Sequence, residues 1–148
     1  MTSDAANPPQ LLLENQVCFP LYSAANAVVR AYRPLLDELD ITYLQYMVLM
    51  VLWRESSLNV KELGQSLRLD SGTLTPLLKR LESKGFVTRS RSEQDERVRI
   101  ITITQQGMAL KQKASDIPLK LSCALGLPAA KGKQLKKLCE ELLEALEA

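Results

Sequence analysis

The chain has 148 residues, 46% of them hydrophobic, and carries 19 Lys and Arg against 17 Asp and Glu. That length fits one domain, or one domain with extensions, and the apolar content excludes global disorder. A net charge of +2 predicts no polyanionic partner by itself, and the absence of histidine removes His-based triads and His-ligated zinc sites.

Further classes fall away. No run of 18 apolar residues exists, so no membrane-spanning helix is expected. No basic segment leads into a long apolar core near the N-terminus, so no signal peptide is expected. Three scattered cysteines do not form a secreted disulfide framework. A cytoplasmic protein without membrane contact, metal or cofactor is the expectation.

In chain order, Met1 to Gln10 is polar with Pro8 and Pro9 and reads as a loose arm. Leu11 to Val17 can form a short helical turn. Pro20 suits the first turn of a helix through Ala24, Ala27, Val28 and Ala31, and Pro34 should end or kink it. Thr42-Tyr43-Leu44-Gln45 is a capping-box start. The helix that follows, to about Arg54, is apolar nearly all round and should be central and buried.

Asn59-Val60-Lys61-Glu62 starts a short amphipathic helix through Val60, Leu63 and Leu67. Arg68-Leu69-Asp70 leaves room only for a tight turn. Leu74, Leu77, Leu78 and Leu81 then follow the spacing of one buried helical face. The opposite side carries Gly72, Thr75, Pro76, Lys79 and Ser83, flanked by Thr73 and Arg80. It is small and hydroxylated first and cationic further on, which suits a base edge and then a phosphate. Asp70 fits an N-cap and Gly85 a C′ residue. With Asp70 as cap the helix contains Pro76, and Gly72 at i−4 relieves the crowding. The alternative start is Thr75, with Pro76 as N1. Either way the spacing is helix-turn-helix, with the second helix bound for a major groove.

Phe86 to Arg91 and Val98 to Thr104 are alternating β-branched runs joined by a polar connection, Ser92 to Arg97. They predict a hairpin with a packed and a wet face. From Lys79 to Arg99 there are seven basic residues against four acidic ones. A basic hairpin beside a recognition helix is a wing that reaches for phosphate or a minor groove.

Thr104 should cap a further helix through Met108, Ala109 and Leu110, which Pro118 would kink. Gly126-Leu127-Pro128 is a turn. A last helix lines up Leu135, Leu138, Cys139, Leu142 and Leu146. The fold class is therefore mainly α with a small β-hairpin wing. The expected organisation is one domain over 1–148, with a winged helix-turn-helix at about 42–104. The helices at about 11–38 and 105–147 exceed its minimal needs, and a two-fold homodimer on a pseudo-palindromic operator would cover their apolar stripes.

The segment Asp95-Glu96-Arg97-Val98-Arg99-Ile100-Ile101-Thr102-Ile103-Thr104-Gln105-Gln106-Gly107 resembles the wing signature of MarR-family repressors. Gln16-Val17-Cys18-Phe19-Pro20-Leu21-Tyr22, Leu44-Gln45-Tyr46 and Leu69 to Leu81 resemble the organic-hydroperoxide-sensing branch of that family, the OhrR repressors. The resemblance implies a winged helix-turn-helix dimer that is not an enzyme. It implies that Cys18 is the peroxidatic thiol and that Tyr32 and Tyr43 of the partner subunit hydrogen-bond it. It also implies that Asp95 orients Arg97 into the minor groove, and that Ser71, Thr73, Thr75, Lys79 and Arg80 contact DNA. Cys123 would be the second thiol of the two-cysteine type, closing an intersubunit disulfide. Cys139 matches neither role.

The residues alone agree in part. Cys18 stands ahead of a proline-initiated helix, whose positive end favours a thiolate, and Tyr22 shares its face if the helix begins that early. Phe19, Leu21 and Met47 would make an apolar surround that favours organic peroxides over hydrogen peroxide. Three other readings remain: a MarR-type repressor released by a non-covalent small ligand, a thiol peroxidase, and a helical interaction module that binds no DNA.

Overall fold

The computed structural model describes residues 7–147. They form two compact units, divided between Ser115 and Asp116. The first holds α1 (Cys18–Asp37), α2 (Tyr43–Glu55), β1 (Ser57–Asn59), α3 (Val60–Leu67), α4 (Ser71–Ser83), β2 (Val87–Arg91), β3 (Arg99–Ile103) and α5 (Gln105–Lys113). The second holds α6 (Ile117–Leu125) and α7 (Ala129–Glu147).

The first six residues of the expected loose arm lie outside the described residues. Beyond them the chain is tied down. Pro9–Leu11 and Leu13–Asn15 are 3-10 turns. The Asn15 amide donates to the Pro9 carbonyl at 2.8 Å, and the Gln16 amide donates to those of Gln10 and Leu12.

Pro34 does not end the first helix, which runs one turn further to Asp37. The cost is the hydrogen bond that residue 34 would have donated to the Arg30 carbonyl. In return Leu36 is buried to 1% exposure, and burying such a side chain is worth about 2 kcal/mol. The end is closed by the Ile41 N–H on the Leu36 carbonyl, with Asp40 left-handed at φ 56.

The capping box of α2 forms in full. Thr42 Oγ1 accepts from the Gln45 N–H, and Gln45 Oε1 accepts from the Thr42 N–H. This helix packs against α1, α3, α4, α5, β1 and β3, with Tyr46, Val48, Leu49 and Leu52 buried. A cap contributes ~1 kcal/mol and each of these side chains ~2 kcal/mol, so burial fixes the position of α2. It is not sealed all round, as its composition predicts, because Leu44 and Met50 stay exposed.

The longer recognition helix is the one formed. Asp70 caps α4 at the Thr73 N–H, 2.7 Å away, and Pro76 lies inside. An interior proline costs ~3 kcal/mol. Leu74, Leu77, Leu78 and Leu81 are all buried, and their ~8 kcal/mol of burial outweighs it. Asn59 caps α3 at the Glu62 N–H, and Arg68 turns the chain at φ 56. Gly85, at φ 81, lets the Phe86 N–H reach back to the Leu81 carbonyl and end α4.

The hairpin is part of a three-stranded antiparallel sheet in the order β1-β3-β2. The sequence pattern held no sign of β1, which pairs Ser57 with Thr102 and Asn59 with Ile100. Thr104 caps α5 at the Gly107 N–H, as its position predicts. The helix expected to kink at Pro118 is instead two helices. The first ends at Lys113, and Pro118 sits in the first turn of α6, where its missing N–H costs nothing. Gly126 ends α6, and α7 buries none of its residues.

Candidate nucleic-acid interface and thiol site

The outward side of α4 presents Ser71, Gly72, Thr73, Thr75, Pro76, Lys79 and Arg80, all exposed. Helical spacing assigned all of these but Ser71 to the open face, together with Ser83, which is also exposed; Ser71 is the one that the family resemblance adds. Thr73 is partly engaged in the cap. Its N–H and hydroxyl both bond Asp70, and these bonds hold that carboxyl below its ordinary range. Ser71, Thr75 and Lys79 stand at one-turn intervals on the same side.

At the hairpin tip Asp95 accepts the Arg97 N–H at 3.0 Å and its guanidinium at 3.3 and 3.4 Å. The backbone bond and the guanidinium lower the Asp95 pKa. The Asp95 carbonyl also accepts the Val98 N–H. One residue thus folds the turn and aims Arg97, whose side chain is 92% exposed. Two other cations of the basic stretch have structural work. Arg89 forms a fork on Glu82 of α4, with Nη2 at 3.0 Å and Nε at 3.1 Å from Oε1, which ties hairpin to helix. Lys84 donates to the Asp40 carbonyl and to Gln45 Oε1, which clamps the α1–α2 turn to the end of α4.

Cys18 is the first residue of α1, not the residue before it, and it is exposed. Tyr22 stands one turn on along the same face. Phe19 and Leu21 are exposed as well, so a single chain builds no enclosed apolar pocket around this thiol. Tyr32 packs on Tyr43 with ring centroids 4.7 Å apart and on Tyr46 at 5.7 Å; Tyr46 meets Trp53 edge-on at 6.2 Å. Fourteen residues of one helix separate Cys18 from Tyr32, roughly 21 Å of rise. The same chain cannot bring the two together. Cys123 lies on α6 and is exposed; Cys139 lies on α7 and is half-buried; all three thiols are free.

Burial, then the neighbouring Tyr43 and Tyr46, push the Tyr32 phenol up to about 12. It is a neutral hydrogen-bond donor at any working pH. A raised phenol pKa means that the folded state holds its proton more tightly. The resulting stability is fully present below the unfolded value of ~10 and lost as pH rises through about 12. Tyr32→Phe should therefore lose less melting temperature than wild type between pH 10 and 12. Equal losses would remove the Tyr32 assignment.

A short helix, a tight turn, a second helix with an open polar face and a cationic hairpin define a winged helix-turn-helix protein. The family described as transcriptional regulator SarA/Rot matches residues 30–114. The organic hydroperoxide resistance transcriptional regulator of Bacillus subtilis (strain 168) is 50% identical over 135 residues, which is 91% of this chain and 90% of that protein. AbfR of Staphylococcus epidermidis, in its reduced form bound to DNA, is 37% identical with a TM-score of 0.76, over 94% of this chain and 97% of that one. Its disulfide form is 38% identical with a TM-score of 0.60, over 93% and 92%. The chain belongs to the MarR/SarA family of winged-helix transcriptional regulators, and within it to the group of the organic hydroperoxide resistance regulators.

Proposed function

We propose that this chain is a homodimeric repressor that holds a pseudo-palindromic operator when reduced and leaves it when an organic hydroperoxide oxidises Cys18. The observation that carries the reading is an exposed cysteine at the first turn of α1 in a chain half-identical, over nine-tenths of its length, to an organic hydroperoxide resistance regulator. AbfR exists both reduced on DNA and in a disulfide form, and this chain superposes better on the former.

In this reading 1–148 acts as one domain. The outer face of α4 (Ser71, Thr73, Thr75, Lys79, Arg80) reads the major groove, and Asp95 aims Arg97 at the minor groove. Exposed Val17, Phe19, Leu21 and Val29 are covered by a second copy, whose Tyr32 and Tyr43 donate hydrogen bonds to Cys18. The thiolate attacks one peroxide oxygen, so that an S–O bond forms and the O–O bond breaks. The departing alkoxide takes a proton and leaves as an alcohol, and Cys18 is a sulfenic acid. The Cys123 thiolate of the other chain then attacks that sulfur. A disulfide forms and the hydroxyl leaves as water. The bond needs the two Cα atoms within ~7 Å, so it fixes one arrangement of the dimer. A change in the separation of the two recognition helices breaks two-site docking.

Fluorescence anisotropy on a pseudo-palindromic duplex tests this. Binding by reduced protein, lost with cumene hydroperoxide and restored by a thiol, is the expected result. Binding that ignores the peroxide would transfer the switch to a non-covalent ligand and overturn the redox reading.

A further inference from the structure

The pleat of the hairpin carries an unexpected charge pattern. Val87 and Ile101 are buried at its base. Residues two apart on a strand share a face, and so do directly paired residues. Val87 is paired with Ile103, Arg89 with Ile101, and Arg91 with Arg99. The face that packs on the core at the base therefore becomes an arginine face further out. All three arginines are exposed, and two of them, Arg89 and Arg99, border a groove shared with α4.

That face closes one side of a groove of about 540 Å³ whose ten lining residues include Lys61, Thr75, Lys79, Arg89, Arg97 and Arg99. Five of these ten residues are cationic and none is acidic. Glu82 neutralises Arg89 from outside the lining and Asp95 neutralises Arg97. Lys61, Lys79, Arg91 and Arg99 have no ion-pair partner among the described residues. Like charges directly opposite on paired strands are destabilising, so Arg91 opposite Arg99 is a cost to the free protein. The first turn of α3 enters the same groove through Val60 and Lys61.

We infer that this groove is a seat for one backbone phosphate of the operator, held by Lys61 of α3 and Arg99 of β3 together with Lys79 of α4. The inference rests on the DNA-binding reading and deepens it. It joins recognition helix and wing through a single anion, and it adds Lys61 and Arg99 to the residues that hold DNA. A phosphate between Lys79 and Arg99 fixes the depth at which α4 enters the groove. It carries no base information, so its contribution is the same for every sequence.

The test is a salt series of anisotropy titrations on operator and scrambled duplexes, with wild type and the Lys61→Gln/Arg99→Gln double variant. Each lost phosphate contact lowers the salt slope by ~0.9 and, near 0.1 M salt, the affinity about tenfold. One phosphate is at stake, so the double variant should lose ~0.9 in slope and about tenfold in affinity, equally on both duplexes. Without DNA it should melt no lower than wild type, because the Arg91–Arg99 repulsion is gone. An unchanged slope, or a loss confined to the operator, overturns the seat while leaving DNA binding intact. A free variant that melts lower places Arg99 in the fold and also overturns it. Inorganic phosphate that stabilises only wild type, with DNA binding equal in both proteins, makes the groove a free-anion site instead. Wild type that binds no duplex sinks the DNA reading, and the seat with it.

Discussion

Cys18→Ser is expected to bind operator DNA like wild type and to stay bound when an organic hydroperoxide is added. Serine is nearly isosteric with cysteine and its oxygen can accept the same phenol hydrogen bonds, so it leaves no cavity at the dimer interface, and the change should move stability or binding by ~0.5 kcal/mol at most, about twofold. Chemically the two residues are far apart. A thiolate attacks a peroxide readily and has a stable first oxidation product, whereas a serine hydroxyl has neither property. Wild type should lose about a hundredfold in affinity on oxidation, a coupling of ~2.7 kcal/mol and within the usual range for linked sites. The serine variant should lose none. Release of Cys18→Ser by peroxide would move the sensor to Cys123 or Cys139. The geometry adds a second arm to the experiment. Tyr32 is ~21 Å along α1 from the Cys18 of its own chain, so its phenol can support that thiol only across a dimer. Mixed dimers with Cys18→Ser in one chain keep a single Cys18, in the other. Tyr32→Phe can then be added to the Cys18→Ser chain, across the interface from the surviving thiol, or to the chain that carries that thiol. Slow oxidation only in the first arrangement is the expected result. Equal rates in both arrangements would remove the phenol from the mechanism.

The helix-turn-helix was legible because its determinants are local. The leucine stripe of α4, the Asp70 and Thr104 caps and the Thr42–Gln45 box each lie within one or two helical turns, and all form as their spacing predicts. What was hidden depends on distant partners. The three residues of β1 become a strand only by pairing with β3, more than 40 positions later. Pro34 stays helical because Leu36 finds a buried place and Ile41 closes the end. The same limit applies to the charges. Counted along the chain, Arg89 and Lys84 belong to the basic run. In space Glu82 engages one, and the Asp40 carbonyl and Gln45 engage the other. Lys61, outside that run, faces the cationic groove. Spacing does set which residues share a helical face. It does not set which cations are already paired, and that decides what an anion meets.

The last residue of the wing signature gives the largest expected loss of stability. Gly107 is buried in the first turn of α5, where helix propensity alone would favour alanine by ~1 kcal/mol. Yet a Cβ there would lie 2.3 Å from the Phe86 carbonyl oxygen and 2.7 Å from Ile103 Cγ1. The Phe86 oxygen cannot retreat freely, because it accepts the Thr104 N–H at 3.0 Å. Gly107 is held from its own side as well. Its N–H donates to Thr104 Oγ1, and its carbonyl accepts the Trp53 indole N–H at 2.9 Å. Relief must therefore move α5 off the base of the hairpin and break the Trp53 bond together. Overpacking costs ~1–3 kcal/mol where side chains can give, and here the obstacle is backbone. Gly107→Ala should cost about 3 kcal/mol, or ~10 °C in melting temperature for a chain of this size. Trp53 is the sole tryptophan, so its fluorescence reports the indole bond directly and should shift in the variant below its melting point. DNA affinity should fall even where the variant is folded, because the hairpin that carries Arg97 and Arg99 starts from this contact. A variant that melts like wild type would mean that the α5–hairpin junction is plastic, and the glycine would then need an explanation other than close approach.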